Sequence, residues 1–141
     1  MFLKNKRAYF DYFIEEELTV GIMLQGTEVK SIRNGSLNFA QSYCIIHAGE
    51  LWLKGFHISE WKWASFSKHD LLRDRKLLLK KKELNRLSKK LINGFTIIPI
   101  NIFINDKGLI KMTIALARGK KAPDKRQTIK ERDIKRSLSL V

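Results

Sequence analysis

FTIIPINIFINDKGLIKMTIAL, residues 95–116, decides how this chain folds. Ile98, Ile100, Ile102 and Ile104 recur at every second position, alternating with Pro99, Asn101 and Phe103. Beyond Asn105-Asp106-Lys107-Gly108 the alternation resumes with Ile110, Met112, Ile114 and Leu116, interleaved by Lys111, Thr113 and Ala115. Apolar period two on both sides of an Asn/Asp/Gly turn predicts a β-hairpin with one face in a core. Proline has no N–H to give to a ladder, so Pro99 belongs at a sheet edge or a bulge. A second hairpin is expected at Tyr43–His47 and Glu50–Phe56 around the short Ala48-Gly49 turn. Tyr9–Leu24, rich in aromatic and branched residues, reads as one long bent strand or two short ones. Five or six strands separated by turns point to a small antiparallel barrel.

Two helical patterns interrupt the strands. Gly26–Asn34 places Val29 and Ile32 on one face and Lys30 and Arg33 on another, and stops at Asn34-Gly35, a left-handed stop signal. Lys76–Leu91 carries Leu77, Leu84, Leu87 and Leu91 at helical spacing and ends before Asn93-Gly94. Its other face holds Lys80, Lys81, Lys82, Arg86, Lys89 and Lys90, cations that serve either helix solubility or direct RNA contact.

The charge is unevenly placed. Residues 1–67 hold seven basic and seven acidic residues, whereas residues 68–141 hold 21 basic and seven acidic, the whole net charge of +14. Positive charge concentrated with few carboxylates is what a polyanion-binding surface needs, so nucleic acid is the leading partner. Residues 119–141 carry eight basic and three acidic residues, with only Ile129, Ile134 and Leu138 as a thin apolar stripe. A helix there has too little apolar face to hold it to a body, so the segment is expected to be disordered when free and to fold on an anionic partner. At 141 residues with 44% apolar content the chain suits one domain with a real core. No apolar run approaches the ~18–20 residues of a membrane span, and the N-terminus has no apolar stretch of the secretory kind. The single cysteine, Cys44, lies in the apolar run Tyr43–Ile46; it reads as a buried inert thiol and suits a reducing cytoplasm.

Signs of catalysis are sparse. His47, His57, His69 and Cys44 show no metal-ligand spacing. His69-Asp70 reads as a turn or cap, and Glu15-Glu16-Glu17 on a strand would point to alternate faces. There is no phosphate-binding glycine loop and no nucleophile elbow. A binding protein without cofactor or metal is therefore expected. An RNA nuclease using Glu28, His57 or His69 is an alternative, as is a membrane-adsorbing protein, which would want a larger apolar face on the basic helix.

One ordered set of short strings is more specific. Asn5–Ala8, Tyr12–Glu16, Leu24–Ser31 (LQGTEVKS), Ser42-Tyr43, His57–Ser59, His69-Asp70, Arg75–Leu79, Ala115–Lys121 (ALARGKK), Asp124–Arg126 and Ile129–Arg132 follow one another in this order. Together they resemble the bacterial SsrA-binding protein (small protein B) family, over roughly residues 5–132. The resemblance implies an oligonucleotide-binding-type (OB) β-barrel with flanking helices, mainly β, followed by the basic tail, with residues 1–118 as body and 119–141 as tail. It also implies a monomeric cytoplasmic protein that makes or breaks no bond. Such a protein would bind the tRNA-like domain of transfer-messenger RNA and escort it to stalled ribosomes in trans-translation. The tail would enter the decoding centre and mRNA path. A general RNA-binding OB module is the alternative.

A structured RNA elbow is recognised by shape, phosphates and unstacked bases, which calls for a rigid barrel with a basic rim. The rim candidates are Lys6, Arg7, Lys30, Arg33, Arg75, Lys76 and Lys111, the last on the non-core face of the hairpin beside Thr113 and Ala115. Glu28 either accepts bonds from base edges or orients Lys30 and Arg33. The ribosome-facing candidates are Lys120, Lys121, Asp124, Lys125, Arg126, Lys130 and Arg132. Pro123 stands where the family commonly has His or Tyr, and proline offers little π surface for stacking. As one helix, Asp124–Val141 would span only ~27 Å along the mRNA path.

Overall fold

A computed structural model of the chain describes residues 2–39, 41–60 and 70–119. Among these, the elements run β1 (Phe2–Lys4), α1 (Ala8–Asp11), β2 (Tyr12–Ile22), α2 (Gly26–Arg33), β3 (Leu37–Asn38), β4 (Tyr43–His47), β5 (Glu50–Lys54) and β6 (His57–Ile58). They continue with β7 (Arg75–Leu78), α3 (Lys81–Ile92), β8 (Thr96–Ile104) and β9 (Ile110–Gly119). Strands β8, β4, β5, β7, β2 and β9 pair in that order, and β9 pairs back to β8, closing a barrel-like ring. Every pairing in it is antiparallel. β1 extends the free edge of β8 at Asn101–Phe103, and β3 pairs with β6 outside the ring.

The long hairpin forms, but the expected single face of Ile98, Ile100 and Ile102 is split by the bulge at Pro99/Asn101, with Ile97 and Ile102 inward and Ile98 and Ile100 outward. Ile102, Met112, Ile114 and Leu116 are buried in the ring's core with Val20, Leu51, Leu53, Leu77 and Ile97. Ile98 and Ile100 pack with Ala8, Ala115 and Ala117 in a smaller cluster under α1. The β8–β9 register shifts between Pro99 and Asn101, so the proline sits at a bulge, where its missing N–H costs the ladder nothing. At the tight β4–β5 turn Ala48 and Gly49 both take positive φ, 53° and 73°, the geometry of a two-residue type I′ hairpin.

Two sequence expectations need correction. Arg75–Leu78 is not the start of a helix but strand β7, with Arg75 and Leu77 inward and Lys76 and Leu78 outward. The helix begins only at Lys81, capped by the Glu83 carboxylate, which accepts the Lys80 N–H at 3.2 Å. Leu84, Leu87 and Leu91 then meet the core, while Leu77 belongs to the ring. The stretch from Tyr9 divides into the single turn α1 and one strand, β2, bulged between Ile14 and Glu16. The helix at Gly26 ends as expected, with Asn34 as its cap and Gly35 at φ 74°. Cys44 is buried, and burial pushes its thiol pKa upward, which keeps it unreactive.

The ring end nearest β6 is filled by Phe56, wholly buried and set edge-on against Phe39 at 5.2 Å between centroids. Phe56→Ala should cost about 3–5 kcal/mol by cavity formation. Ile92→Ala, at a side chain 83% exposed, should stay within ~0.5 kcal/mol of the parent. Urea unfolding of the two variants checks the difference.

Candidate nucleic-acid interface

At Gly21 the outer face of the ring lacks a side chain. Leu78 on β7 pairs with Gly21 on β2, and Gly21 pairs with Lys111 on β9. Three outward positions therefore stand side by side, with no side chain on the middle one. A Cβ at Gly21 would lie 3.2 Å from the Leu78 Cβ, so the leucine stands too close for a side chain there. The result is a surface groove of about 390 Å³ floored by Gly21 and walled by Leu24, Val29, Arg33, Leu78, Leu109 and Lys111.

The groove joins apolar surface to positive charge. Leu78 and Leu109 are 47% and 53% exposed, and Met23, which follows β2, is 51% exposed. Arg33 reaches across the groove to donate to the Gly108 carbonyl at 3.3 Å, tying α2 to the β8–β9 turn. Lys111 is half-buried on the outward face, as its place in the alternation predicts. Lys76 points outward two residues before Leu78, its ammonium 2.8 Å from Glu50. Lys30 is exposed on α2, in the last turn, where a cation suits the helix dipole. Exposed apolar surface with flanking cations is what unstacked bases and their phosphates require.

Lys6 and Arg7 lie elsewhere. They line a second hollow with Lys4, Gly35 and Asn38, beyond the end of α2. Arg7 also borders a polar cleft of about 440 Å³ with Asn5, Tyr12, Ser42, Tyr43 and Gly119, at the end of β9. Cations accompany aromatic rings here: Arg7 over Phe10 at 5.0 Å and Lys4 over Tyr9 at 5.5 Å. The expected rim is thus two basic surfaces.

Arg75 is on neither. It is wholly buried, and so is Glu28, so the expectation that both face RNA is corrected. The direct bonds of Glu28 go to neither Lys30 nor Arg33. Its Oε1 accepts from Arg73 at 2.6 Å and from the Gln25 N–H at 2.8 Å, and its Oε2 accepts from Arg75 Nε at 2.7 Å. Arg75 Nη1 donates to the Phe56 carbonyl at 2.5 Å, and Nη2 reaches the Asp70 and Leu71 carbonyls at 3.3 Å. Burial pushes the Glu28 carboxyl up, but bonds from Arg73, Gln25 and Arg75 outweigh it and leave the pKa below its ordinary value.

On α3, Lys80, Lys82, Asn85, Arg86 and Lys89 border a shallow depression of about 550 Å³, with Arg86 paired to Glu16 at 2.5 Å. His57 is on β6, and Asp70 makes the turn expected of it by accepting the Leu72 N–H at 3.1 Å. Among the described residues no group of three or more His, Cys, Asp or Glu could hold a metal ion, and no helix is long and apolar enough to cross a membrane. His69, Pro123 and the tail candidates Lys120, Lys121, Asp124, Lys125, Arg126, Lys130 and Arg132 lie outside the described residues.

The sequence reading missed Leu78, Leu109, Met23 and Gly21. The available signal was the glycine inside a strand pattern, which marks a bulge or a close approach.

Comparison with known proteins shows the family. A model of the SmpB protein family matches residues 2–140. The SsrA-binding protein of Phocaeicola vulgatus is 50% identical over 96% of this chain and 91% of its own length. That of Borreliella burgdorferi is 47% identical over 99% and 93%. A chain in a solved structure described as "tmRNA-SmpB: a journey to the center of the bacterial ribosome" is 42% identical and superposes with a TM-score of 0.73, covering 99% of both chains.

The Glu28 cluster predicts a pH response. A carboxyl whose folded pKa is depressed contributes stability that is present above its unfolded value and lost as pH falls through the folded one. Glu28→Ala should cost about 3–5 kcal/mol at pH 7, since it leaves Arg75 buried and uncompensated. The gap between parent and Glu28→Gln should narrow as pH falls below the ordinary 4.5. Urea unfolding from pH 7 to 3 measures it.

Proposed function

This chain belongs to the SmpB protein family, and we propose that it binds the tRNA-like domain of transfer-messenger RNA and delivers that RNA to stalled ribosomes for trans-translation. The observation that carries the reading is the family match from residue 2 to residue 140, which takes in the ring and the basic segment alike. The protein is a binding factor that makes and breaks no bond, and it works at the ribosome in the cytoplasm.

The two parts of the chain have different tasks. The ring offers the groove: Leu78 and Leu109 meet unstacked loop bases, while Lys30, Arg33, Lys76 and Lys111 neutralise the phosphates around them. Lys6 and Arg7 extend the positive surface beyond α2. Glu28 and Arg75 support this surface from within. From Gly119 onward, Lys120, Lys121, Asp124, Lys125, Arg126, Lys130 and Arg132 engage ribosomal RNA at the decoding centre and mRNA path. β9 stays paired as far as Gly119, opposite Tyr12.

Binding to the tRNA-like domain should weaken steeply with salt, with a log–log slope of about −0.7 to −0.9 per neutralised phosphate. Lys111→Ala should flatten that slope by about one contact and leave the fold intact, whereas Leu78→Ala should weaken binding without changing the slope. Equal affinity for bulk tRNA would sink the reading in favour of a general RNA-binding module.

Truncation after Gly119 removes all eight tail cations and should leave a folded ring that still binds the tRNA-like domain. Peptide tagging on stalled ribosomes should collapse. Tagging at the full-length rate would show the tail to be dispensable.

A further inference from the structure

The helix that carries Lys30 and Arg33 is weakly attached by apolar contact. α2 has eight residues, and its buried side chains are Glu28, Ser31 and Ile32, so Ile32 is its one buried apolar anchor. A helix this short has little stability of its own, and what holds a helix in place is normally an apolar face. A single apolar contact leaves a helix free to swivel about it. The Arg33 bond to Gly108 is exposed and long at 3.3 Å.

Glu28 supplies the second point of attachment. Its two oxygens hold Arg73 and Arg75, which belong to β7 and its approach rather than to α2. Arg75 holds the Phe56 carbonyl on one side of the 57–74 connection and the Asp70 and Leu71 carbonyls on the other. One ion cluster therefore joins three backbone segments: α2, the chain after β5 and the chain entering β7. β7 also carries Leu78, the groove's exposed leucine. The cluster thus links the helix on one wall of the groove to the strand on the other.

We propose that Glu28 is a positioning residue for RNA recognition: through Arg73 and Arg75 it fixes where Lys30 and Arg33 stand relative to Leu78 and Lys111. It touches no RNA, being wholly buried. The proposal rests on the RNA-binding reading above and adds the device that sets the spacing of its contacts.

The test uses full-length protein, the tRNA-like domain as probe, and three variants. Glu28→Gln keeps the shape of the side chain and removes its charge. Arg73→Gln cuts only the partly exposed arm of the cluster and takes the place of Glu28→Gln if that variant fails to fold. Leu87→Ala, in α3 and remote from the cluster, is a control for general loss of stability. Glu28→Gln should lower RNA affinity about tenfold or more, while Leu87→Ala leaves it within about twofold. In a Lys30→Ala, Arg33→Ala background the Glu28→Gln effect should largely vanish, because the cations it positions are gone. Amide hydrogen exchange in α2 should speed up in Glu28→Gln and Arg73→Gln beyond its change in Leu87→Ala. Equal affinity losses in Glu28→Gln and Leu87→Ala, a Glu28→Gln loss undiminished in the double-alanine background, or α2 exchange no faster than in the control would each overturn the proposal. The exchange measurement needs no RNA. A parent protein that ignored the tRNA-like domain would refute the proposed function, and α2 exchange would still decide the role of Glu28.

Discussion

Strand β8 has two edges, and the ring exists because both are used. One edge runs beside β9 from Thr96 to Ile104. The other takes β4 at Ile97 and then β1 at Asn101–Phe103. A closed sheet has no long open edge to recruit a foreign strand, and closure demands that strands bend and tilt. The bulges at Pro99/Asn101 and at Ile14/Glu16 supply that bending on the longest strands. With the ring closed, inward and outward positions follow the two-residue period between the bulges. That is why Leu78, Gly21 and Lys111 meet on the outside while Leu77, Val20 and Met112 meet within.

Arginine is used in two opposite ways. Arg33 stays in solvent, where its charge is available to a polyanion. Arg75 is taken fully inside, where an unpaired guanidinium would be prohibitive. It is tolerated because its donors meet a carboxylate and three backbone carbonyls, a planar fork matched to several acceptors at once. Such a cluster adds little stability over a well-packed apolar core. Its contribution is geometric, since directional bonds specify one arrangement where apolar contact allows several.

The elements legible in the sequence were those in which one physical signal dominated. Alternation in Ile98–Ile104 and Ile110–Leu116 revealed the hairpin and, in the second strand, the outward place of Lys111. The bulge at Pro99/Asn101 that turns Ile98 and Ile100 outward left only the proline as its signal. Asn34-Gly35 marked the end of α2. The reading failed where two signals overlapped. Leu77, Leu78 and Leu79 stand directly before a true amphipathic helix, and a run of leucines has no period that separates strand from helix. Leu77 was therefore counted with Leu84, Leu87 and Leu91, although it belongs to a strand. The same ambiguity hid Arg75, whose inward place follows only once 75–78 is read as alternating. Glu28 was misjudged for another reason: its partners, Arg73 and Arg75, are 45 and 47 residues away, beyond the reach of any local pattern.

β9 connects the two ends of the proposed activity. Lys111, beside the groove, lies near its start, and Gly119, where the basic segment departs, is its last residue. Eight residues of extended chain separate them, about 27 Å. β9 is held along one flank by β2 and along the other by β8. A pull on the basic segment, with the RNA anchored at the groove, would load this strand lengthwise. The ladder bonds on both flanks lie across that direction, so they would share the load together instead of opening one at a time. On the proposed function the ring would serve as a tension member as well as a recognition surface, passing traction along β9 without unravelling.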